Sequence, residues 1–163
     1  MSRLDSAIRR LTAQKLTLEA AAHHIADLEG PALELGLGNG RTFDHLRTIL
    51  PNREIFIFDR QVAAHPDCVS DAAHLLLGDF LETLPQAVKR FGATCAFIHC
   101  DIGTGEKASS IALGQAIAPH LAKLTCPGAI VVSDQPLDIA TWRDEPLPPG
   151  VAEGRIHLYR ATG

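Results

Sequence analysis

The chain is short of aromatics, of clustered positive charge and of long apolar runs, and each shortage removes a class of function. Aromatic residues make up 5% of its 163 residues, with Trp142 and Tyr159 the single tryptophan and tyrosine, so few rings are available to stack unpaired bases. The formal net charge is −4 and the basic residues are scattered. The electrostatic footprint of a DNA or RNA binder is missing, and no nucleic-acid partner is expected. No apolar stretch is long enough for a signal h-region or a membrane span, which points to a soluble, cytoplasmic protein with no membrane partner. Cys68, Cys95, Cys100 and Cys126 form no C-x-x-C pair, which disfavours a structural zinc or a thioredoxin-like redox motif; they read as buried thiols of a reducing compartment. Repeats, linkers and low-complexity tracts are lacking too. With 46% hydrophobic content the chain suits one packed domain, residues 1–163, led by a helix-like segment over 1–30.

What is present is concentrated first in Ala32 to Asp44, ALELGLGNGRTFD. An apolar strand ends in Glu34 and three alternating glycines, Gly36, Gly38 and Gly40, and then opens into a helix over Arg41 to Leu50 whose Phe43, Leu46 and Leu50 share one face. Glycine lets backbone approach a ligand closely, and the helix start offers unpaired N–H groups. This is a nucleotide-type pocket. In the dinucleotide fingerprint G-x-G-x-x-G the third glycine lies three positions after the second; here that position is Arg41, which argues against a nicotinamide cofactor.

The remaining segments alternate. Strands are expected at Ile55 to Phe58, at the start of Leu75 to Phe80 (LLLGDF, a short apolar strand followed by an acid and an aromatic), at Thr94 to Cys100 and at Ala129 to Ser133, and helices at Leu81 to Phe91 and Glu106 to Leu124. Such alternation means an α/β fold, a parallel sheet with helices on both faces, with ligands at the carboxyl ends of the strands. Asp59, Asp79, Asp101 and Asp134 each follow a strand. Asp59 lies nineteen positions after Gly40, where a carboxylate accepts ribose hydroxyls in dinucleotide sites. His99 shares strand parity with Asp101 and is a candidate general base; its neighbour Cys100 points to the opposite face, so the two do not pair directly. His23 and His24 are adjacent and cannot share a helix face as metal ligands do. Gly103 and Gly105 suggest a mobile loop before Glu106 and Lys107 that closes on substrate; a solvated helix start is the plainer reading of that pair.

ELGLGNG, with acids at positions 59, 79 and 101 in register, resembles the first motifs of class I S-adenosylmethionine-dependent methyltransferases over Ala32 to about Gln135. More narrowly, ELGLGNGRTFDHLR, HCDIGTGEK and VVSDQP look like a small bacterial family of such enzymes without an assigned substrate. The resemblance implies a three-layer α-β-α sandwich with a mostly parallel Rossmann-like sheet. It implies that Glu34, Gly36, Gly38, Asn39, Gly40, Asp59, Arg60, Gly78, Asp79, Phe80, Asp101 and Ile102 bind S-adenosylmethionine. Asp59 is then the ribose acid, Asp79 the acceptor for the adenine amino group, Phe80 a ring against the purine, and Asp101 or His99 the proton acceptor for a direct methyl transfer.

The fold of that family closes with an antiparallel hairpin, and here only Ile139 to Gly163 remain for it, interrupted by Pro146, Pro148, Pro149 and Gly150. Arg155 to Arg160 alternates as a last strand, with a very short partner expected around Leu147. So shortened a chain implies a small-molecule substrate and a homo-oligomer, most simply a two-fold dimer, against whose partner the leading segment packs if it does not lie over the cofactor or cap the sheet edge. Amino-adenine methyltransferases carry a D-P-P-Y-like loop where this chain has Asp101-Ile102-Gly103-Thr104, a further argument against nucleic acid. A metal-assisted O-methyltransferase would use Asp101 and Asp134. Gln135 replaces the usual Asn and the two acids lie 33 positions apart, so no metal is expected. Two other classes remain: a non-catalytic S-adenosylmethionine sensor or partner subunit, and an NAD(P)-dependent reductase, which Arg41 and the lack of a Tyr-x-x-x-Lys pair disfavour.

Overall fold

The computed structural model describes residues 2–163. Ser2 and Asp5 start the first helix, α1 (Arg3–His24), as a reciprocal capping box. Beyond its far end the Arg53 guanidinium donates to the carbonyls of Ile25, Leu28 and Gly30, which ties the segment after the helix to the start of the sheet. The elements that follow are β1 (Ala32–Leu35), α2 (Arg41–Ile49), β2 (Ile55–Asp59), β3 (Leu75–Leu77), α3 (Phe80–Phe91), β4 (Cys95–Cys100), α4 (Lys107–Leu124), β5 (Thr125–Ser133), β6 (Trp142–Asp144) and β7 (His157–Ala161), with 3₁₀ turns at Pro66–Cys68 and Ala72–His74.

The seven strands form one sheet in the order β3-β2-β1-β4-β5-β7-β6. The first five run parallel, and β7 is antiparallel to both β5 and β6. Strand parity divides the buried side chains into two cores. Leu33, Leu35, Phe58, Ile98, Val131 and Tyr159 pack under α3 and α4 with Leu84, Ile117 and Leu121. Ala32, Ile57, Phe97, Val132 and Leu158 pack under α1 and α2 with Leu18, Ile25, Phe43 and Leu46. Fully buried side chains such as Phe58, Phe97 and Leu18 each contribute roughly 1.5–3 kcal/mol of transfer free energy. The three layers and the mostly parallel sheet are those expected.

Three expectations are corrected. The partner of the last strand is Trp142–Asp144, not a segment around Leu147, which lies in the loop and packs on the second core; the prolines that follow remove the donors a ladder needs. β5 begins at Thr125, directly after α4, because Cys126 to Gly128 continue the strand before the apolar run. The leading helix lies across the α2 side of the sheet, its Ala13, Leu18 and Ala21 buried, instead of capping the edge.

Candidate active site at the carboxyl edge of the sheet

The strand order reverses between β1 and β4, where an open α/β sheet leaves a crevice for ligands. The glycine turn fills one side of it. Gly36 has φ +90°, and a Cβ there would stand 2.1 Å from the Asp101 carbonyl oxygen, so only glycine lets the ends of β1 and β4 meet. Gly38 also has positive φ, but nothing lies within 4 Å of its missing Cβ, which leaves room for a ligand. Gly40 packs under Ala64 and Cys68 and starts α2 in the left-handed conformation. Asn39 is exposed beside it, its Oδ1 accepting from the Arg41 amide.

Asp59, at the end of β2, faces this turn. Its Oδ2 accepts from the amides of Leu37 (2.8 Å) and Gly38 (3.2 Å) and its Oδ1 from the amide of Arg60 (2.6 Å). The acid therefore shapes the glycine loop and keeps lone pairs for further donors. Beyond it Gly78 donates to the Asp59 carbonyl and places Asp79 as N-cap of α3, its Oδ1 on the Leu81 amide and its Oδ2 on the exposed Arg60 guanidinium at 2.8 Å. The amide of Leu81, with Arg60, holds the Asp79 carboxyl below its ordinary value. Phe80 is partly buried and packs against the core under α3 and α4. The exposed apolar side chains at this edge are Val62, Leu77 and Leu81, which the sequence reading passed over because it looked for an aromatic.

On the other side of the crevice, Glu34 and His99 are register partners on β1 and β4. Both are buried. His99 Nδ1 lies 2.7 Å from Glu34 Oε2, and Thr42 Oγ1 donates to the other carboxylate oxygen. Burial works against the imidazolium, but the charge and hydrogen bond of Glu34 outweigh it, with Asp101 and Asp134 adding, and the pKa of His99 is raised. His99 thus sits beneath the crevice floor, with its Nε2 toward Gln14 of α1 at 3.4 Å, and has no direct path to a substrate. Gln14 is 8% exposed and donates to Asp101 Oδ2 at 3.1 Å. Sequence reading missed Gln14; the signal was a polar residue in line with Leu18, Ala21 and Ile25, a polar break in a buried helical stripe.

Asp101 is half-buried at the mouth. Next to it, Asp134 accepts from the amides of Ile102 (3.1 Å) and Gly103 (2.8 Å), pinning the loop after β4. Burial and then the like charge of Asp101 lift the Asp134 carboxyl, against those amides and Gln135. Ile102 is buried. The 103–106 loop is tied down by Thr104 on Ser110, and Glu106 caps α4 through the amides of Ala108 and Ser109, which matches the plainer helix-start reading. Lys107 is exposed. Burial pushes the Cys95 thiol up to about 12 and that of Cys100 well above its usual value, so neither serves as a nucleophile.

Beside the glycine turn lies a cavity of about 230 Å³ walled by Arg10, Leu11 and Gln14 of α1 and by Gly36, Gly38, Asn39, Arg41, Asp101 and Gly103. A larger cavity of about 540 Å³, around Ala22, Gly30 and Arg53, opens at the opposite edge, away from the strand-end acids and the glycine turn. The smaller one carries the chemistry. Among the described residues no group of three His, Cys, Asp or Glu is placed to hold a metal ion.

Comparison with known proteins agrees with this geometry. The family model described as S-adenosyl-L-methionine methyltransferase matches residues 1–161. A methyltransferase of the same description from Silicibacter pomeroyi DSS-3 is 42% identical, with a TM-score of 0.94 over 99% of both chains. Human methyltransferase-like protein 13, solved with SAH, shares the fold at 10% identity and TM-score 0.55, over 94% of this chain and 81% of that one. The mitomycin 7-O-methyltransferase MmcR does so at 14% and 0.50, over 88% of this chain and 54% of that one. No curated protein matches the chain. With a family model along almost its whole length and a relative 42% identical over 99% of both chains, the chain belongs to the S-adenosyl-L-methionine methyltransferase family.

Proposed function

We propose that the chain methylates a small molecule, with the acceptor approaching Asp101 at the mouth of the crevice. S-adenosylmethionine, when bound, supplies an electrophilic methyl group on its sulfonium. The residues present fit that cofactor: Gly38 leaves open space where a side chain would stand, and the Asp59 carboxylate accepts ribose hydroxyls from the position it already holds against the loop amides. Asp79 accepts the adenine amino group on the oxygen now paired with exposed Arg60, and Val62, Leu77 and Leu81 take the purine face. The turn around Gly36, Asn39 and Gly40 receives the amino-acid end. Asp101, steadied at Oδ2 by Gln14, faces both the ammonium of the cofactor's amino-acid end and the acceptor, which it orients or relieves of its proton, and alignment supplies most of the rate. His99 acts only through those two residues.

The observation that carries the choice of a small acceptor is that α1, through Arg10, Leu11 and Gln14, closes one side of the crevice at Asp101. MmcR, by its name, acts on a small molecule with the same fold. The test is incubation of the enzyme with methyl-tritiated cofactor and cell extract, followed by separation by size. Label is expected in the small-molecule fraction and absent with Asp101→Ala; label in protein or nucleic acid would overturn the reading.

A further inference from the structure

A chain of hydrogen bonds crosses four elements of the molecule. It runs from Thr42 on α2 through Glu34 on β1 and His99 on β4 to Gln14 on α1, and ends at Asp101 on the crevice wall. Glu34, His99 and Gln14 are all more than nine-tenths buried, so no water supplies an alternative partner cheaply. Gln14 directs one and the same nitrogen at both His99 Nε2 (3.4 Å) and Asp101 Oδ2 (3.1 Å). A carboxamide nitrogen has two protons and no acceptor capacity. This arrangement therefore requires His99 Nε2 to be the acceptor, with its single proton on Nδ1 toward Glu34.

When His99 takes a second proton, Nε2–H confronts an N–H₂ group. The conflict is relieved by turning the amide so that its oxygen accepts from Nε2–H. That same oxygen then faces Asp101 Oδ2, and the carboxylate loses its donor. The amide can satisfy one neighbour or the other, but not a doubly protonated imidazole and a carboxylate on the same side together.

We propose that Gln14 is the positioning residue for Asp101, its carboxamide giving a hydrogen bond to that carboxylate when His99 carries one proton and withdrawing it when His99 carries two. The proposal deepens the reading of Asp101 as the reactive-edge acid and rests on it only for its functional consequence. The charged groups around the imidazole are Glu34 from β1, Asp101 at the end of its own strand and Asp134 after β5, with Arg10 of α1 and Arg41 of α2 on the same cavity wall. The three carboxylates favour the second proton, so the exchange falls above the usual imidazole midpoint. As pH rises through the midpoint of His99, Asp101 is captured by Gln14 and the crevice is ordered for the ammonium of the cofactor's amino-acid end; as pH falls, it is released.

The experiment is NMR on the full chain, following the Asp101 carboxyl carbon, the Gln14 carboxamide and the His99 ring nitrogens across the neutral range in the wild type and in Gln14→Met. In the wild type the Asp101 and Gln14 signals are expected to inflect at the midpoint of His99. In Gln14→Met, which keeps the length of the side chain, His99 still titrates against Glu34 while the inflexion at Asp101 is lost. An undiminished inflexion at Asp101 in Gln14→Met would mean direct charge coupling and overturn the proposal, as would a wild-type Gln14 signal that ignores the titration of His99. The second of these decides the matter even if Gln14→Met does not fold. In parallel, S-adenosylhomocysteine affinity should weaken roughly three- to tenfold below the His99 midpoint, and Gln14→Met should abolish that pH dependence; a dependence undiminished in the variant counts against the proposal. A wild type that binds no S-adenosylhomocysteine at any pH sinks the cofactor reading instead, and the NMR coupling still decides the role of Gln14.

Discussion

At the scale of the residue, the Glu34–His99 pair carries the largest electrostatic stake. Both side chains are buried at 0% and 2% exposure and meet at 2.7 Å. Replacing His99 by Ala leaves the Glu34 carboxylate inside the protein with only the Thr42 hydroxyl, and the expected loss is about 3–5 kcal/mol in denaturant unfolding. Because the pKa of His99 is raised in the folded chain above its usual 6.5, the stability from its extra proton is fully present below that usual value. It is lost as pH rises through the raised one, so wild-type stability falls across that window and that of His99→Ala does not. Asp59 makes the contrasting case. Its oxygens already hold three amides, and Asp59→Ala should weaken S-adenosylhomocysteine roughly a hundredfold in calorimetry, the loss of two charge-assisted bonds to ribose. Asp59 was legible from its distance to the glycines. The burial of His99 was not: strand parity placed it on the face of Asp101 but could not say that a helix from the other end of the chain would lie over it.

At the scale of the element, the strand-turn-helix unit does two separable jobs. Gly36 is a packing glycine, needed because the Asp101 backbone passes 2.1 Å from where its Cβ would be; Gly38, with nothing within 4 Å, is a ligand glycine. Gly36→Ala is expected to cost about 3–5 kcal/mol and to displace the Asp101 loop. Gly38→Ala should cost about 1–2 kcal/mol from its backbone conformation alone while still losing cofactor affinity, since its methyl group enters the cavity. Thermal unfolding and calorimetry on the two variants separate the roles. E-x-G-x-G-x-G announced the unit but not this division, which depends on what β4 brings alongside. The core strands were legible because their apolar runs are continuous. The last hairpin was not, because a three-residue edge strand such as Trp142–Asp144 leaves too little pattern.

At the scale of the whole molecule, the acids after β2, β3, β4 and β5 share one edge of the sheet because the strands run parallel, and that much followed from the alternation of segments. α1 is where the sequence was least informative. Its buried face covers the sheet and its Gln14 enters the site, while Leu4 and Ile8, one turn apart, remain 69% and 53% exposed. A dimer through this helix is the expected state: sedimentation should give twice the chain mass for the wild type and the chain mass for Leu4→Glu with Ile8→Glu, and a monomeric wild type would refute it. No described helix is long and apolar enough to cross a membrane. The most direct test of the account is the structure of the chain with S-adenosylhomocysteine. It should show the amino-acid end among Gly36, Gly38 and Asp101, the ribose on Asp59 and the adenine amino group on Asp79; a ligand seated instead in the larger cavity around Ala22, Gly30 and Arg53 would contradict it.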